Sequence, residues 1–239
     1  EALDGRGHRI EVYLGLSAEI AVDRANQKVT ARVYENGACC GRGEQDVLAV
    51  SGDDKRIDWG WLHLFADEQH VPSILDRAQL DKRWKTRWRK WEELPQNAQE
   101  NRAAFTVQDA FAYLGLERTF EIGAKGDVSG FVCAGYDDLH SILYFGKPID
   151  AYYKKDGDTF EDVCKKALIE YESICGRVEA FEADLLEKAE AISPRYRDIL
   201  ALAYRQAIAA HKLTWDGQEL QFLSKECFSN GCIGTLDVT

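Results

Sequence analysis

At 239 residues the chain is long enough for one large domain or two modest ones, and its 45% hydrophobic, 30% charged and 11% aromatic content excludes a disordered protein. No run approaches the roughly 18 apolar residues of a membrane helix. The formal net charge of −11 disfavours nucleic acid as a partner, because phosphate binding needs concentrated Lys and Arg.

Seven Cys and no Met are present. No two Cys form a CxxC pair and none has zinc-ligand spacing with His, so no metal site is expected. The odd count argues against a complete disulfide framework. The lack of Met marks the chain as something other than a complete reading frame, and no signal-peptide pattern follows Glu1.

The first part of the chain alternates with period two. Residues 8–14 place Ile10, Val12 and Leu14 on one face, and residues 28–34 do the same with Val29, Ala31 and Val33. Glu35-Asn36-Gly37 predicts a turn, because Asn and Gly both accept positive φ. Further strands are expected at 47–50 and 57–65, around the turn 51–54, and again near 118–122, 130–134 and 141–145. Gly146-Lys147-Pro148 is read as the end of this β region. The cadence of short strands and turns predicts a sandwich.

After Pro148 the period becomes helical. Asp158 as N-cap with Glu161 three residues later has capping-box character. One long apolar stripe then runs from Phe160 through Val163, Cys164, Ala167, Tyr171, Ile174, Cys175, Val178 and Phe181 to Leu185, with both Cys read as packing residues. Ser193-Pro194 restarts the pattern, with Tyr196, Ile199, Leu200, Ala203, Ala207 and Ala210 as the next stripe. Residues 215–218 form a turn, and a short apolar run at 220–223 leads into a polar, Gly-containing loop. Two such helices cannot bury all their faces alone, so they are expected to pack on the β region, on each other and on helices outside this chain.

Four stretches are candidates for chemistry. Residues 83–91 are basic and aromatic, with Trp84, Trp88 and Trp91 on one helical face. That pattern suits a stacking platform for a single strand or a sugar, or an amphipathic turn packed on the sheet. The second is preferred, since the chain is acidic overall. Tyr136-Asp137-Asp138-Leu139-His140 sets two carboxylates beside a His, as in an acid/base or metal site. A tight turn in which Asp caps backbone N–H groups is the preferred alternative. Residues 52–60 read in the same way, as a turn with a charge pair or the rim of a cleft.

The densest polar segment is 224–239. Glu226 and Asp237 are the candidate acid and base, Lys225, Ser229 and Asn230 the candidate substrate-binding groups, and Gly231 and Gly234 allow close backbone approach. Cys227 and Cys232 lack a neighbouring His to activate them. A structural loop whose side chains cap helix ends is the equal alternative.

Three tracts taken together resemble the glutaminase A family of secreted fungal and Bacteroides-type bacterial proteins. They are residues 51–60, residues 136–147, and residues 203–207 leading to 225–239. The last is the most specific. It follows the family pattern Lys-Glu-Asn-Phe-Ser-Asn-Gly, except that Cys227 stands where Asn is usual and Cys232 where Ser is common.

The resemblance implies a multidomain α and β architecture. A supersandwich-like β-sandwich, residues 1–148, would precede the first helices of a six-hairpin α/α toroid, residues 149–239. Relatives continue past Thr239, so the toroid is expected to be truncated here. The implied activity is hydrolysis of the L-glutamine side-chain amide to L-glutamate and ammonia, by an enzyme secreted or periplasmic, with no cofactor. The expected partner is a small-molecule substrate, glutamine or a sugar, with no nucleic acid and no membrane-spanning segment. Glycoside hydrolases that pair a β-sandwich with an α/α toroid share the implied architecture and use paired carboxylates. A non-catalytic carbohydrate or interaction module is the remaining alternative.

Overall fold

The computed structural model describes residues 2–22, 27–42, 60–86, 105–106 and 112–224, with side chains at all of these except 82–86 and 105–106. The chain divides into two compact units, residues 1–50 with 55–139, and residues 51–54 with 140–239.

The first unit holds β1 (His8–Ser17), a 3-10 turn at Ala18–Ala21, β2 (Thr30–Tyr34), β3 (Gly37–Gly41), β4 (Trp61–Phe65), β5 (Val71–Asp76), α1 (Arg77–Thr86), β6 (Phe105–Thr106), β7 (Ala112–Ile122) and β8 (Cys133–Asp137). Two antiparallel sheets result, a three-stranded one ordered β1-β7-β5 and a five-stranded one ordered β6-β2-β3-β4-β8. Both line one apolar core. Leu114 and Leu116, with Leu16 and Ile74, come from the first sheet. Ala31, Ala38, Cys40, Leu62 and Leu64 come from the second. The period-two reading of β2 holds, since Val29 and Ala31 are buried and Val33 packs against the core.

The period-two reading of β1 holds, but its apolar face is covered at only one end. Its ten residues rise about 33 Å, twice the span of the five-residue strands across the core. Leu16 therefore reaches the core while Ile10, Val12 and Leu14 stay exposed. Beside them Arg118 lies 4.4 Å from the Phe120 ring and pairs with Asp67 at 3.6 Å.

The turn at residues 35–36 joins β2 and β3 in register, with Tyr34 opposite Gly37. Gly37 is needed there for close approach rather than for positive φ. A Cβ at Gly37 would sit 2.4 Å from the Leu64 carbonyl oxygen and 2.8 Å from the Phe65 Cβ.

The second unit begins with β9 (Ile142–Tyr144) and β10 (Lys147–Ala151), followed by a 3-10 turn at Tyr152–Asp156. The expected stop at Gly146-Lys147-Pro148 is instead a two-residue hairpin turn. Phe145 and Gly146 take φ of 48° and 80°, and the strand runs on through Pro148 to Ala151.

Helices α2 (Phe160–Ile169), α3 (Tyr171–Glu190) and α4 (Pro194–Ala209) follow, then β11 (His211–Trp215) and β12 (Leu220–Ser224). The capping box lies one residue later than expected. Thr159 is the N-cap and Asp162 the reciprocating residue, each bonding the other's backbone N–H. The single stripe expected from Phe160 to Leu185 is broken at Glu170 into α2 and α3.

Ser193 caps α4 through the Tyr196 N–H, with Pro194 in the first turn as expected. Helices α3 and α4 pack as a hairpin, with Phe181 and Tyr204 rings 5.4 Å apart. Cys164 is buried, whereas Val178, Phe181, Ile199 and Leu202 remain exposed. Strand β11, which helical periodicity carried past, pairs with both β10 and β12. The unit therefore has a four-stranded sheet ordered β12-β11-β10-β9. The protein is thus mixed, with antiparallel sheets and a helical hairpin. No described helix is long and apolar enough to cross a membrane.

Candidate active site

The residues singled out for chemistry at the end of the chain, Lys225, Glu226, Ser229, Asn230 and Asp237, lie outside the described residues, as do Cys227 and Cys232. So do Trp88, Trp91 and the side chain of Trp84. The structure does describe the strand that delivers the segment, and the ground around that strand.

The β11–β12 hairpin turns at residues 216–219. The Asp216 carboxylate accepts the backbone N–H groups of Gln218 and Glu219, each at 2.8 Å, and the Gln221 amide at 3.1 Å. These bonds to Glu219 and Gln218 hold the Asp216 carboxyl below its ordinary range. Lys147 reaches over from β10 and donates to the Asp216 carbonyl oxygen at 3.1 Å.

Register places Trp215 opposite both Leu220 and Asp150, so these side chains share one face of the sheet. The Lys155 ammonium stands 4.7 Å from the Trp215 ring and 5.5 Å from that of Tyr152, with the two rings edge to face. Asp150 accepts the Nδ1–H of His140, at the end of the tract where paired carboxylates beside a His drew attention. At the other end of β11, His211 bonds the Ala207 carbonyl and stacks on Phe222. Ser224, the last described residue, is buried opposite His211.

In the first unit, the tract ending at Gly60 meets the tract at Asp137. Trp61 pairs with Asp137 across the β4–β8 ladder. Gly60 takes φ of +86°, and a Cβ there would lie 1.9 Å from the Asp137 carbonyl oxygen. Only glycine fits. The Asp137 carboxylate accepts the Leu139 N–H at 3.1 Å, where Leu139 itself adopts φ of 59°. This is the capped turn preferred for that tract.

Two residues along β4, His63 is 2% exposed and hydrogen-bonds the Tyr34 hydroxyl through Nδ1 at 3.2 Å. Burial pushes its pKa down to about 4, with Arg32 acting in the same direction and Asp137 opposing. Burial also drives the Cys40 thiol far above its ordinary range. Neither group is poised as a base or nucleophile near neutral pH.

Among the described residues no three His, Cys, Asp or Glu side chains converge as a metal site. A shallow, open depression at the α3–α4 corner is lined by Ala183, Leu186, Glu187, Glu190, Ala191 and Arg197. Arg197 pairs with Glu190 at 3.1 Å and with Asp198 at 2.9 Å.

The pairing of His63 with Tyr34 across strands, and of His140 in the loop before β9 with Asp150 of β10, left no local signal in the sequence. The placement of His211 four residues after Ala207 did leave one, because His in the last turn of a helix bonds its free carbonyls.

Comparison with known proteins bears on the same segments. The domain of unknown function DUF5127 matches residues 1–188, and the glutaminase A six helical-hairpin domain matches residues 193–239. The chain is 26% identical over 253 residues to glutaminase A of Aspergillus oryzae (strain ATCC 42149 / RIB 40). That alignment takes in 100% of this chain and 35% of the fungal protein, so the chain spans about a third of the curated relative's length. No solved structure matches the chain.

Proposed function

The chain belongs to the glutaminase A family, with a DUF5127 domain over residues 1–188, and on that premise we propose that its protein hydrolyses the side-chain amide of L-glutamine to L-glutamate and ammonia. The observation that carries this reading is the alignment of all of this chain with a glutaminase A, together with the match of residues 193–239 to that family's helical-hairpin domain. The matched interval contains Lys225, Glu226, Ser229, Asn230 and Asp237.

In this reading a supersandwich-like β domain precedes the opening hairpin of an α/α toroid, and the protein acts outside the cytoplasm. One carboxylate, Glu226 or Asp237, takes a proton from the attacking water as its oxygen bonds the amide carbon. The other gives a proton to the departing nitrogen as the C–N bond breaks and ammonia leaves. Lys225 binds the substrate carboxylate, and Ser229 and Asn230 orient the amide.

The test is ammonia release from L-glutamine by the full-length protein, set beside Glu226→Gln and Asp237→Asn. General acid–base roles predict losses of kcat of about a hundredfold or more. Unchanged turnover in both variants would remove this segment from the chemistry. Cleavage of a glycoside with no ammonia released from glutamine would replace the amidase with a carbohydrate enzyme.

A further inference from the structure

Strand β1 forms one edge of the three-stranded sheet, with β7 as its neighbour among the described residues. All ten of its residues pair with β7 in one continuous register, without a bulge. The strand carries no Pro and no Lys. Bulges, Pro and Lys are devices that keep a sheet edge from pairing further. In an antiparallel pair alternate residues turn their N–H and C=O groups away from the partner, so β1 presents such a row along its outer edge. His8, Arg9, Ile10 and Val12 are exposed, the last two at 43% and 45%.

The charges of β1 decide what fits that edge. Besides His8 the strand has two charged residues, Arg9 and Glu11, of opposite sign and symmetric about Ile10. They lie on one face, with the Arg9 guanidinium 3.3 Å from the Glu11 carboxylate and 3.8 Å from that of Glu121 on β7. Ile10 and Val12 lie on the other face. A second β1 running antiparallel, with Ile10 opposite Ile10, sets Arg9 of each copy against Glu11 of the other. It also sets Val12 of each copy against His8. Centring the pair on Arg9 or on Glu11 sets like charges together. Centring it on Val12 leaves Arg9 facing Gly15 and Glu11 facing Tyr13. Opposite charges directly across a ladder stabilise it and like charges oppose it, so the strand's own charges select the register centred on Ile10.

We propose that β1 is a self-association edge. Two copies of the protein join their three-stranded sheets through residues 8–12, exchanging Arg9 and Glu11 about a two-fold axis at Ile10. A ladder this short buries less than the roughly 1,200 Å² of a tight dimer, so its Kd is on the order of 10–100 µM.

The test is sedimentation of the full-length protein from about 1 to 300 µM, with Arg9→Glu, Glu11→Arg and the Arg9→Glu/Glu11→Arg double variant, each also melted for Tm. Wild type should pass from monomer to dimer across that range. Either single variant should weaken association about tenfold or more, because the two-fold axis turns one substitution into two like-charge pairs. The double variant exchanges the charges and should bring Kd back to within about threefold of wild type. Register is read separately with a short bismaleimide. Ile10→Cys stands about 5 Å from its mate and should give a linked dimer. Val12→Cys, about 14 Å from its mate, should add nothing to the wild-type background.

A protein that stays monomeric throughout overturns the proposal, whether the edge is open or taken by the rest of its own chain. A dimer that both single variants leave intact forms through another surface and overturns it too. So does a double variant no better than the single ones at unchanged Tm, and so does linkage at Val12 in place of Ile10. Where a charge variant lowers Tm, the cross-linking pair decides.

Discussion

His63 makes a quantitative test of the β domain. It is buried in the five-stranded sheet, and burial lowers its pKa from an ordinary 6.5 to about 4. The unfolded chain therefore binds a proton between about pH 6.5 and 4 that the folded chain refuses. Stability must fall as pH drops through that window and is retained above it. For those two values the loss between pH 7.5 and pH 5 is about 2 kcal/mol, and it approaches about 3 kcal/mol below pH 4. His63→Gln keeps a hydrogen-bonding group for the Tyr34 hydroxyl but cannot titrate. The assay is urea denaturation of wild type and variant at pH 7.5, 6 and 5. Subtracting one pH profile from the other removes every other titrating group. Wild type should lose about 2 kcal/mol more than the variant between the ends of the range. Parallel profiles would refute the reasoning, since His63 would then be no harder to protonate folded than unfolded.

Three further outcomes are expected. Gly60→Ala must accommodate a Cβ 1.9 Å from the Asp137 carbonyl oxygen at a φ of +86°, and should cost about 2–4 kcal/mol in chemical denaturation. Thr159→Ala removes the hydroxyl half of a capping box, which accepts the Asp162 N–H, and should cost about 1 kcal/mol, with faster amide exchange confined to the first turn of α2. Asp216→Ala frees the N–H groups of Gln218 and Glu219, and amide exchange across β11 and β12 should quicken. Because the folded Asp216 carboxyl is held below its ordinary range, wild type should lose the same protection as pH falls through that lowered range and keep it above.

The sequence disclosed whatever a few neighbouring residues decide. Ser193-Pro194 opens α4 as read, because cap and first-turn residue are adjacent in the chain. The capping box at the start of α2 was ambiguous by a single residue. Asp158 with Glu161 and Thr159 with Asp162 both fit the spacing, and the extended backbone of Thr159, φ −78° and ψ 162°, chose the second. Strand β11 was hidden for a similar reason. The alternation from His211 to Trp215 follows directly on an Ala-rich helical stripe, and only pairing with β10 and β12 makes it a strand. In β1 the alternation was correct, but it does not report how long the facing sheet is. That length decides that Leu16 is covered and Ile10 is not.

The same distinction sorts the three family-like tracts by their work. The tract ending at Gly60 and the tract at Asp137 close a sheet. One supplies a glycine that alone can pass the Asp137 carbonyl, and the other a carboxylate that caps the turn at Leu139. A carboxylate that accepts a backbone N–H at a left-handed turn has a structural role there. His140, which made that tract look catalytic, gives its Nδ1–H to Asp150 of β10, ten residues on. Chemistry is therefore best sought in the third tract, to which the ordered side chains of β11 and β12 lead. There His211 and Asp216 fix opposite ends of the hairpin whose second strand runs directly into Lys225 and Glu226.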